Sequence, residues 1–154
     1  MGNLTVGDRA PAIDALDQEG KQITLEEYRG KKLVLYFYPK DNTPGCTAES
    51  CDLRDHYDQF LQQGFDIIGV SADSEKSHQK FIAQHQLPFR LISDTEKKVL
   101  QDYGAWGEKK NYGKTYMGIL RKTFIIDEEG VIIKIIDKVK TKEHSTQIFT
   151  DLSH

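Results

Sequence analysis

An unbroken run of apolar, aromatic and β-branched residues, KLVLYFY (32–38), constrains the fold of this chain more than any other feature. Such a run is typical of a strand that is buried on both faces inside a parallel or mixed sheet. A second run, FDIIGVSAD (65–73), has the same character. The residues between them predict a helix, because Thr43 can cap it, Pro44 suits its first position and Gly64 can end it. The order is therefore strand, helix, strand.

The same alternation continues after the second strand. A helix capped at Asp73 or Ser74 comes next, followed by a short strand around 91–92 and a helix over 95–103 capped by Asp94. Strands that alternate with helices in this way predict a parallel core in the sheet, with helices on its faces.

The remaining segments add antiparallel structure. Residues 105–120 are rich in glycine and lysine and predict a long loop. RKTFIID (121–127) and VIIKIID (131–137) flank a Glu-Glu-Gly turn and predict a hairpin. A terminal helix is predicted from Thr141, and an N-terminal β-hairpin has 22–25 as its second strand. The fold class is therefore α/β, with a central mixed sheet flanked by helices.

Length and charge limit the class of protein. With 154 residues and neither a linker nor a repeat, the chain predicts one domain spanning 1–154. Acidic and basic residues are interspersed and the net charge is −3, so nucleic acid is not an expected partner. The longest strongly apolar stretch, 33–38, is too short to cross a bilayer, and the amino terminus lacks the features of a secretory signal. We therefore expect a cytoplasmic protein without a membrane partner.

Both cysteines of the chain, Cys46 and Cys51, lie in the first predicted helix. In a reducing compartment, a close pair of thiols is more often catalytic or metal-binding than a structural disulfide. If Thr43 is the N-cap, Cys46 is the third helical residue. The unpaired N–H groups and the positive end of the helix dipole there favour the thiolate, which is the nucleophilic form. The alternative, on these residues alone, is that Cys46 is a small buried core residue.

The spacing of Cys51 argues against a permanent disulfide. Five residues of helix advance ~7.5 Å and rotate ~140°, which places the two Cα atoms roughly 8.7 Å apart. A disulfide requires less than about 7 Å, so the two thiols can bond only if the first turns of the helix unwind. A shared metal ion is not expected either. His56 follows at the same spacing, and the three side chains therefore point in three directions around the helix.

The chain lacks the C-x-x-C motif of thioredoxins, which leaves a different use of two thiols. An exposed thiolate can attack an electrophilic oxygen and become a sulfenic acid. The sulfenic acid then condenses with a second thiol to form a disulfide, which a reductase can open.

At this point the residues resemble a known family. Pro39-x-x-x-Thr43-x-x-Cys46 is similar to the active-site signature of the peroxiredoxins, and TPGCTAESC (43–51) resembles the peroxiredoxin Q, or bacterioferritin comigratory protein, subfamily. The similarity covers nearly the whole chain, including VGDRAPAI (6–13) and FRLISDTEKKV (89–99).

The resemblance assigns roles to four residues around the helix start. It implies that Cys46 is the peroxidatic cysteine and Cys51 the resolving cysteine. It further implies that the hydroxyl group of Thr43 hydrogen-bonds the peroxide or the thiolate, and that Pro39 shields the sulfur atom from water.

Two more residues are assigned in the same way. Arg121, in GILRKTF, matches the active-site arginine of the family. Its permanent charge would favour the thiolate and stabilise the negative charge on the departing oxygen. Glu49 corresponds to a position that helps to hold this arginine. Without the resemblance, Arg121 would be interpreted as an ordinary surface charge.

As a whole, the resemblance implies a thioredoxin-like fold and a thiol-dependent peroxidase. Its substrates would be hydrogen peroxide and organic hydroperoxides, and thioredoxin or glutaredoxin would reopen the intramolecular disulfide. The resemblance implies neither a metal nor an organic cofactor, and we expect a monomer that serves in antioxidant defence. A redox sensor and a thiol–disulfide oxidoreductase on the same fold are the alternatives.

The histidines are not expected to take part in this chemistry, because a pre-formed thiolate needs no general base. All five are predicted to be solvated: His56, His78, His85, His144 and His154.

Overall fold

The computed structural model describes residues 4–153. The strands are β1 (Asp14–Leu16), β2 (Gln22–Thr24), β3 (Lys32–Phe37), β4 (Phe65–Ser71), β5 (Arg90–Ser93), β6 (Trp106–Asn111), β7 (Lys114–Ile119), β8 (Lys122–Ile126) and β9 (Ile132–Ile136). The α-helices are α1 (Pro44–Asp55), α2 (Tyr57–Gln62), α3 (Glu75–His85), α4 (Lys98–Asp102) and α5 (His144–Leu152), and short 3₁₀ turns span Leu25–Tyr28 and Thr141–Glu143. Within residues 4–153, no helix has the length and apolar character that a bilayer crossing requires.

The central sheet has five strands in the order β5-β4-β3-β8-β9. Strands β3, β4 and β5 run parallel, whereas β8 pairs with β3 and β9 pairs with β8 in the antiparallel sense. This arrangement confirms the predicted mixed sheet with its appended hairpin. The register places Phe37, the last residue of β3, opposite Lys122, the first residue of β8. The residue before β8 therefore lies beside the end of β3, close to where α1 begins.

Alternate residues of β3 point to opposite faces of the sheet, and both faces are covered. One face packs against α4 and the N-terminal hairpin, and its buried residues include Leu33, Leu35, Phe37, Ile23, Val99 and Leu100. The other face packs against α1, α2, α3 and α5, and its buried residues include Val34, Tyr36, Leu53, Phe60, Phe81 and Ile148. The continuous apolar run of β3 follows from this burial on both sides.

The first predicted helix is divided at His56 into α1 and α2. In a continuous helix the carbonyl oxygen of Asp52 would accept from the backbone N–H of His56. Here it accepts from the Ser145 hydroxyl group and contacts the His56 ring, while the His56 N–H donates to Leu53. On one continuous helix, the spacing of Leu53, Tyr57, Phe60 and Leu61 predicts a single buried stripe. In the divided helix Leu61 is instead 43% exposed.

The predicted loop over 105–120 is instead a hairpin of β6 and β7, and the loop prediction is wrong. Its turn residues, Tyr112 and Gly113, both have positive φ, at 53° and 78°, as the two-residue turns of tight hairpins require. Residues 114–117 of β7 are all exposed. Ile119 at the end of β7 is buried, but a strand with four of its six residues exposed shows no alternation of apolar and polar residues, so the sequence carried no strand signal.

The helix predicted over 95–103 is shorter and begins at Lys98. Lys97 adopts a left-handed conformation at φ 62°, which prevents an earlier start. The Asp94 side chain still accepts from the N–H groups of Lys98 and Leu100, as a capping residue does. The N-terminal hairpin, the Ser74 cap of α3, the hairpin of β8 and β9, and the terminal helix are confirmed.

Gly69 in β4 supports the packing of α1. A Cβ atom there would lie 2.7 Å from Leu91 and 2.8 Å from the ring of Tyr36. The Tyr36 hydroxyl group is in turn 2.8 Å from the hydroxyl group of Ser50 on α1, so the space at Gly69 fixes the position of a ring that contacts α1.

We expect Gly69→Ala to lower the free energy of unfolding by about 1–3 kcal/mol, because the buried side chains of Leu91 and Tyr36 cannot move aside. Urea denaturation measures the change.

Gly118→Ala is the matched control, because the added methyl group would meet the side chains of Lys109 and Tyr116 on the hairpin. Its cost should be clearly smaller. Equal losses in the two variants would contradict the tight packing inferred at Gly69.

Candidate active site

Cys46 lies at the start of α1. The N-cap residue of this helix is Thr43, which has extended backbone angles. The hydroxyl group of Thr43 does not cap the helix but donates to the carbonyl oxygen of Lys40 at 2.8 Å. Pro44 takes the first helical position, and Cys46 the third. Cys46 is only 1% exposed. The expectation of an exposed thiol is therefore wrong, and a substrate must enter a confined site to reach the sulfur atom.

Arg121 connects Cys46 to Glu49. Its Nη2 donates to the Cys46 sulfur atom at 3.3 Å, and its Nη1 donates to Glu49 Oε1 at 2.7 Å. The β3–β8 register brings Arg121 to this position, since it directly precedes β8. Gly45 makes room for it, because a Cβ atom at that position would lie 3.3 Å from Arg121 Nη2.

The charges of this cluster depend on its burial. Burial raises the pKa of Glu49 to about 7, although the adjacent Arg121 opposes the shift. For Arg121, burial lowers the pKa, but the charges of Glu49 and Cys46 raise it by more, and the net shift is upward. The guanidinium group is therefore a permanent cation between a thiol and a carboxyl group.

Cys51 lies further along α1, is partly exposed and, like Cys46, is a free cysteine. Both cysteines belong to one uninterrupted stretch of helix, which keeps the two thiols apart as their spacing predicts.

The loop between β3 and α1 is anchored through Asp41, which is buried. Asp41 Oδ1 accepts from the Tyr38 hydroxyl group at 2.7 Å, and Oδ2 accepts from the Ser77 hydroxyl group at 2.8 Å. His78 Nδ1 is 2.7 Å from the same Oδ2. Asn42 then reverses the chain into α1 with a positive φ of 61°. Pro39 lies in this anchored loop and is half-buried.

Asp41, Asp73 and His78 could in principle hold a metal ion, since one ligand atom from each lies within 4.8 Å of the others. These atoms are already occupied. Asp73 Oδ2 accepts from the Asp41 N–H and the Ser71 hydroxyl group, and His78 Nε2 faces the carbonyl oxygen of Ile92. A saturated hydrogen-bond network of this kind favours a structural role over metal binding.

Two of the histidines contradict the prediction of solvation. His78 and His144 are fully buried, whereas His56 and His85 are partly exposed and His154 lies outside the described residues. A signal was available, because His78 and the core residue Phe81 are three apart on α3, and His144 and the core residue Ile148 are four apart on α5. Helical spacing therefore places both histidines on buried faces.

His144 also extends the active-site cluster. Its Nε2 lies 3.5 Å from Glu49 Oε2, and neither side chain is exposed. Burial lowers the pKa of His144 to about 4, so the ring is neutral near pH 7. Sequence reasoning assigned no role to this residue.

The fold and the site define a thiol enzyme of the thioredoxin-like class, and comparisons with known proteins agree. The model of the AhpC/TSA family matches residues 6–135. Peroxiredoxin Bcp of Bacillus subtilis is 47% identical over 149 residues, which are 97% of this chain and 95% of that protein. Peroxiredoxin Bcp of Escherichia coli is 42% identical over 144 residues, which are 94% of this chain and 92% of that protein.

Solved structures give the same result. Peroxiredoxin Q of Xanthomonas campestris has a TM-score of 0.85 and 38% identity, covering 92% of this chain and 90% of that chain. PrxQ of Xylella fastidiosa has a TM-score of 0.91 and 32% identity, covering 99% of this chain and 98% of that chain. The chain belongs to the AhpC/TSA family and, within it, to the peroxiredoxin Q or Bcp group. It is a thiol-dependent peroxidase with a thioredoxin-like fold, as the resemblance implied.

The anchor of the active-site loop generates a stability prediction. Asp41→Ala leaves the buried donors of Tyr38 and His78 and the half-buried hydroxyl group of Ser77 without an acceptor, so we expect it to lower the free energy of unfolding by about 3–5 kcal/mol. The control is Asp58→Ala, which removes an exposed carboxylate on α2 and should change stability by about 0.5 kcal/mol or less. Urea denaturation monitored by circular dichroism measures both. A loss below about 1 kcal/mol for Asp41→Ala would mean that the loop does not depend on this network.

Proposed function

We propose that Cys46 is the nucleophile of the peroxidase reaction. Its thiolate attacks one oxygen of a hydroperoxide, the O–O bond breaks, and the other oxygen leaves as hydroxide or alkoxide and takes up a proton. The products are Cys46 sulfenic acid and water or an alcohol. The observation that carries this assignment is the Arg121 contact, since its Nη2 lies 3.3 Å from the sulfur atom.

Arg121 acts by charge in this proposal. A guanidinium beside the sulfur atom attracts the negative charge of the attacking thiolate. It also stabilises the negative charge that develops on the leaving oxygen, in a site where little water weakens the interaction. Glu49 holds Arg121 from the other side, through its 2.7 Å hydrogen bond.

Thr43 and Pro39 complete the pocket in this proposal. The Thr43 hydroxyl group donates to Lys40, which leaves its oxygen lone pairs free to accept from a hydroperoxide O–H. Pro39 has no backbone N–H to hold water, and its ring shields one side of the site.

Cys51 resolves the sulfenic acid. Its thiol sulfur atom attacks the Cys46 sulfur atom, a disulfide forms, and the hydroxyl group leaves as water. The first turns of α1 must unwind for this step. Arg121 must release Cys46 and Glu49, and the contact between Tyr36 and Ser50 must break.

Two anchors, a buried one at Asp41 and a half-buried one at Asp52, limit how far the unwinding extends. Asp41 holds the chain before α1, as described above. Asp52, the residue after Cys51, holds the far side, because its Oδ2 accepts from the Ser145 N–H at 2.7 Å and its carbonyl oxygen accepts from the Ser145 hydroxyl group at 3.2 Å. The segment between Asn42 and Cys51 can therefore refold while its two ends stay in place.

We further propose a cytoplasmic monomer that reduces hydrogen peroxide and organic hydroperoxides and is recycled by thioredoxin or glutaredoxin. Family membership favours this activity over a redox sensor or a thiol–disulfide oxidoreductase. A sensor would be oxidised without sustained turnover, and an oxidoreductase would act on protein disulfides instead of peroxides.

A coupled assay tests the two cysteines. NADPH oxidation through thioredoxin reductase and thioredoxin is followed as hydrogen peroxide is added. We expect steady turnover for the wild type and none for Cys46→Ser, because that variant lacks the nucleophile. Cys51→Ser should lose thioredoxin-dependent turnover and accumulate Cys46 sulfenic acid, which mass spectrometry detects. Peroxide-dependent turnover in Cys46→Ser would show that another residue is the nucleophile.

Hydrogen exchange tests the refolding step. We expect oxidation to reduce amide protection from Thr47 to Cys51, because these N–H groups make the first helical hydrogen bonds of α1 and those bonds must open. Protection of the Ser145 amide, which donates to Asp52, should persist. Two results would count against the proposed segment: unchanged protection across the first turns of α1, or a loss that spreads to Ser145.

A further inference from the structure

The carboxyl group of Glu49 is buried but only half-satisfied. Its Oε1 accepts from Arg121 Nη1, whereas Oε2 has no hydrogen-bond partner. The second terminal nitrogen of Arg121 is directed at Cys46, so the guanidinium does not form a two-pronged pair with the carboxyl group. An ionised carboxylate in such a place would leave one charged oxygen without a donor, which is costly.

The atom that faces Oε2 is Nε2 of His144, at 3.5 Å. The hydrogen-bond network decides which nitrogen of His144 carries the hydrogen. Nδ1 is 2.9 Å from Gln147 Oε1, which also accepts from the Lys140 N–H, and Gln147 Nε2 donates to Lys138. The amide oxygen of Gln147 is therefore an acceptor, so Nδ1 must be the donor. In the neutral ring, Nε2 then presents a lone pair.

A lone pair that faces a bare carboxylate oxygen is repulsive, whereas a proton on Oε2 turns the same contact into a hydrogen bond. The separation of 3.5 Å is longer than an ordinary O–H···N bond, so the hydrogen bond requires Oε2 and Nε2 to approach more closely. The hydroxyl group of Thr123, 2.8 Å from Nε2, competes for the same lone pair.

We propose that His144 is a positioning residue for the peroxidase reaction: it keeps Glu49 protonated on Oε2, so that the positive charge of Arg121 acts on Cys46. With Glu49 neutral, Arg121 balances a Cys46 thiolate. With Glu49 ionised, the same guanidinium is shared between two anions, and its effect on the leaving oxygen weakens. The inference rests on the proposed role of Cys46 as nucleophile.

Other charged groups surround this pair and are compatible with the assignment. Asp52, on α1, makes ionisation of Glu49 less favourable, and Arg121 makes it more favourable. Around His144, Asp52 and Asp151 favour the imidazolium form, whereas burial and Arg121 oppose it. Burial therefore favours the neutral form of both groups, because it raises the pKa of Glu49 and lowers the pKa of His144.

The first test detects the proton directly. Infrared difference spectra between the reduced wild type and Glu49→Gln should show the carbonyl stretch of a protonated carboxyl group at about pH 6, and this band should fade above about pH 8. The proposal would be overturned if the spectra at about pH 6 showed a carboxylate band without the protonated form. It would also be overturned if nitrogen NMR showed an imidazolium signal from His144. The infrared measurement does not involve Cys46. It therefore reports the protonation state of Glu49 even if Cys46 proves not to be the nucleophile.

The second test uses two substitutions with opposite expected effects on the pH profile of the peroxide reaction, measured by stopped flow. The wild-type rate constant should fall as Glu49 ionises at high pH. His144→Leu removes the acceptor for the proton on Oε2 and should move this fall about one pH unit lower. Thr123→Val removes the competing donor and should move it higher. If both variants shift the profile in the same direction, or neither shifts it, the proposal is wrong.

Two controls separate this effect from a general disturbance of the fold. Glu143→Gln changes an exposed carboxylate one residue before His144 and should leave the profile unchanged. In a Glu49→Gln background the titrating group is absent, so adding His144→Leu should not shift the profile further. If His144→Leu does not fold, Thr123→Val and the infrared spectra still decide the question. A shift of similar size in the Glu49→Gln background would assign the effect of His144 to another group.

Discussion

The antiparallel pairing of β3 with β8 is the contact on which the active site depends. Strand β3 delivers the chain to the start of α1, and the paired strand begins directly after Arg121. A guanidinium that is 75 residues from Cys46 in the sequence thereby reaches its sulfur atom. The buried packing on both faces of β3 keeps this register in place, since a slip of one residue would turn every side chain of β3 to the opposite face.

The proposed mechanism requires a rigid frame around one segment that unwinds. Asp41 is held by buried hydrogen bonds to the end of β3 and to α3, and Asp52 is held by α5. Between these anchors the helix begins with Pro44 and Gly45, and its opening must break the contacts of three buried residues, Cys46, Glu49 and Ser50. In that mechanism the segment must meet two opposing requirements, because attack on peroxide needs an ordered pocket whereas disulfide formation needs the helix to unwind.

The guanidinium group of Arg121 contacts both Cys46 and Glu49. The protonation state of the buried Glu49 therefore affects how strongly the positive charge acts on Cys46. The two terminal nitrogens of Arg121 donate to different partners, a thiol and a carboxyl group. A buried carboxyl group with a pKa near neutrality can leave that charge to the sulfur atom or compete for it. Our proposal therefore links the unpartnered oxygen of Glu49 and the lone pair of His144 to the reactivity of Cys46.

The sequence by itself determined the alternation of strands and helices and the position of Cys46 near a helix start. It also determined the separation of the two cysteines along one helix, since each of these follows from local spacing and from the helical repeat. Only the tertiary structure decided that Cys46 is buried, that Trp106–Ile119 form a hairpin with an exposed tip, and that His144 faces Glu49. These outcomes depend on contacts between distant segments, and local periodicity does not record which distant residues meet.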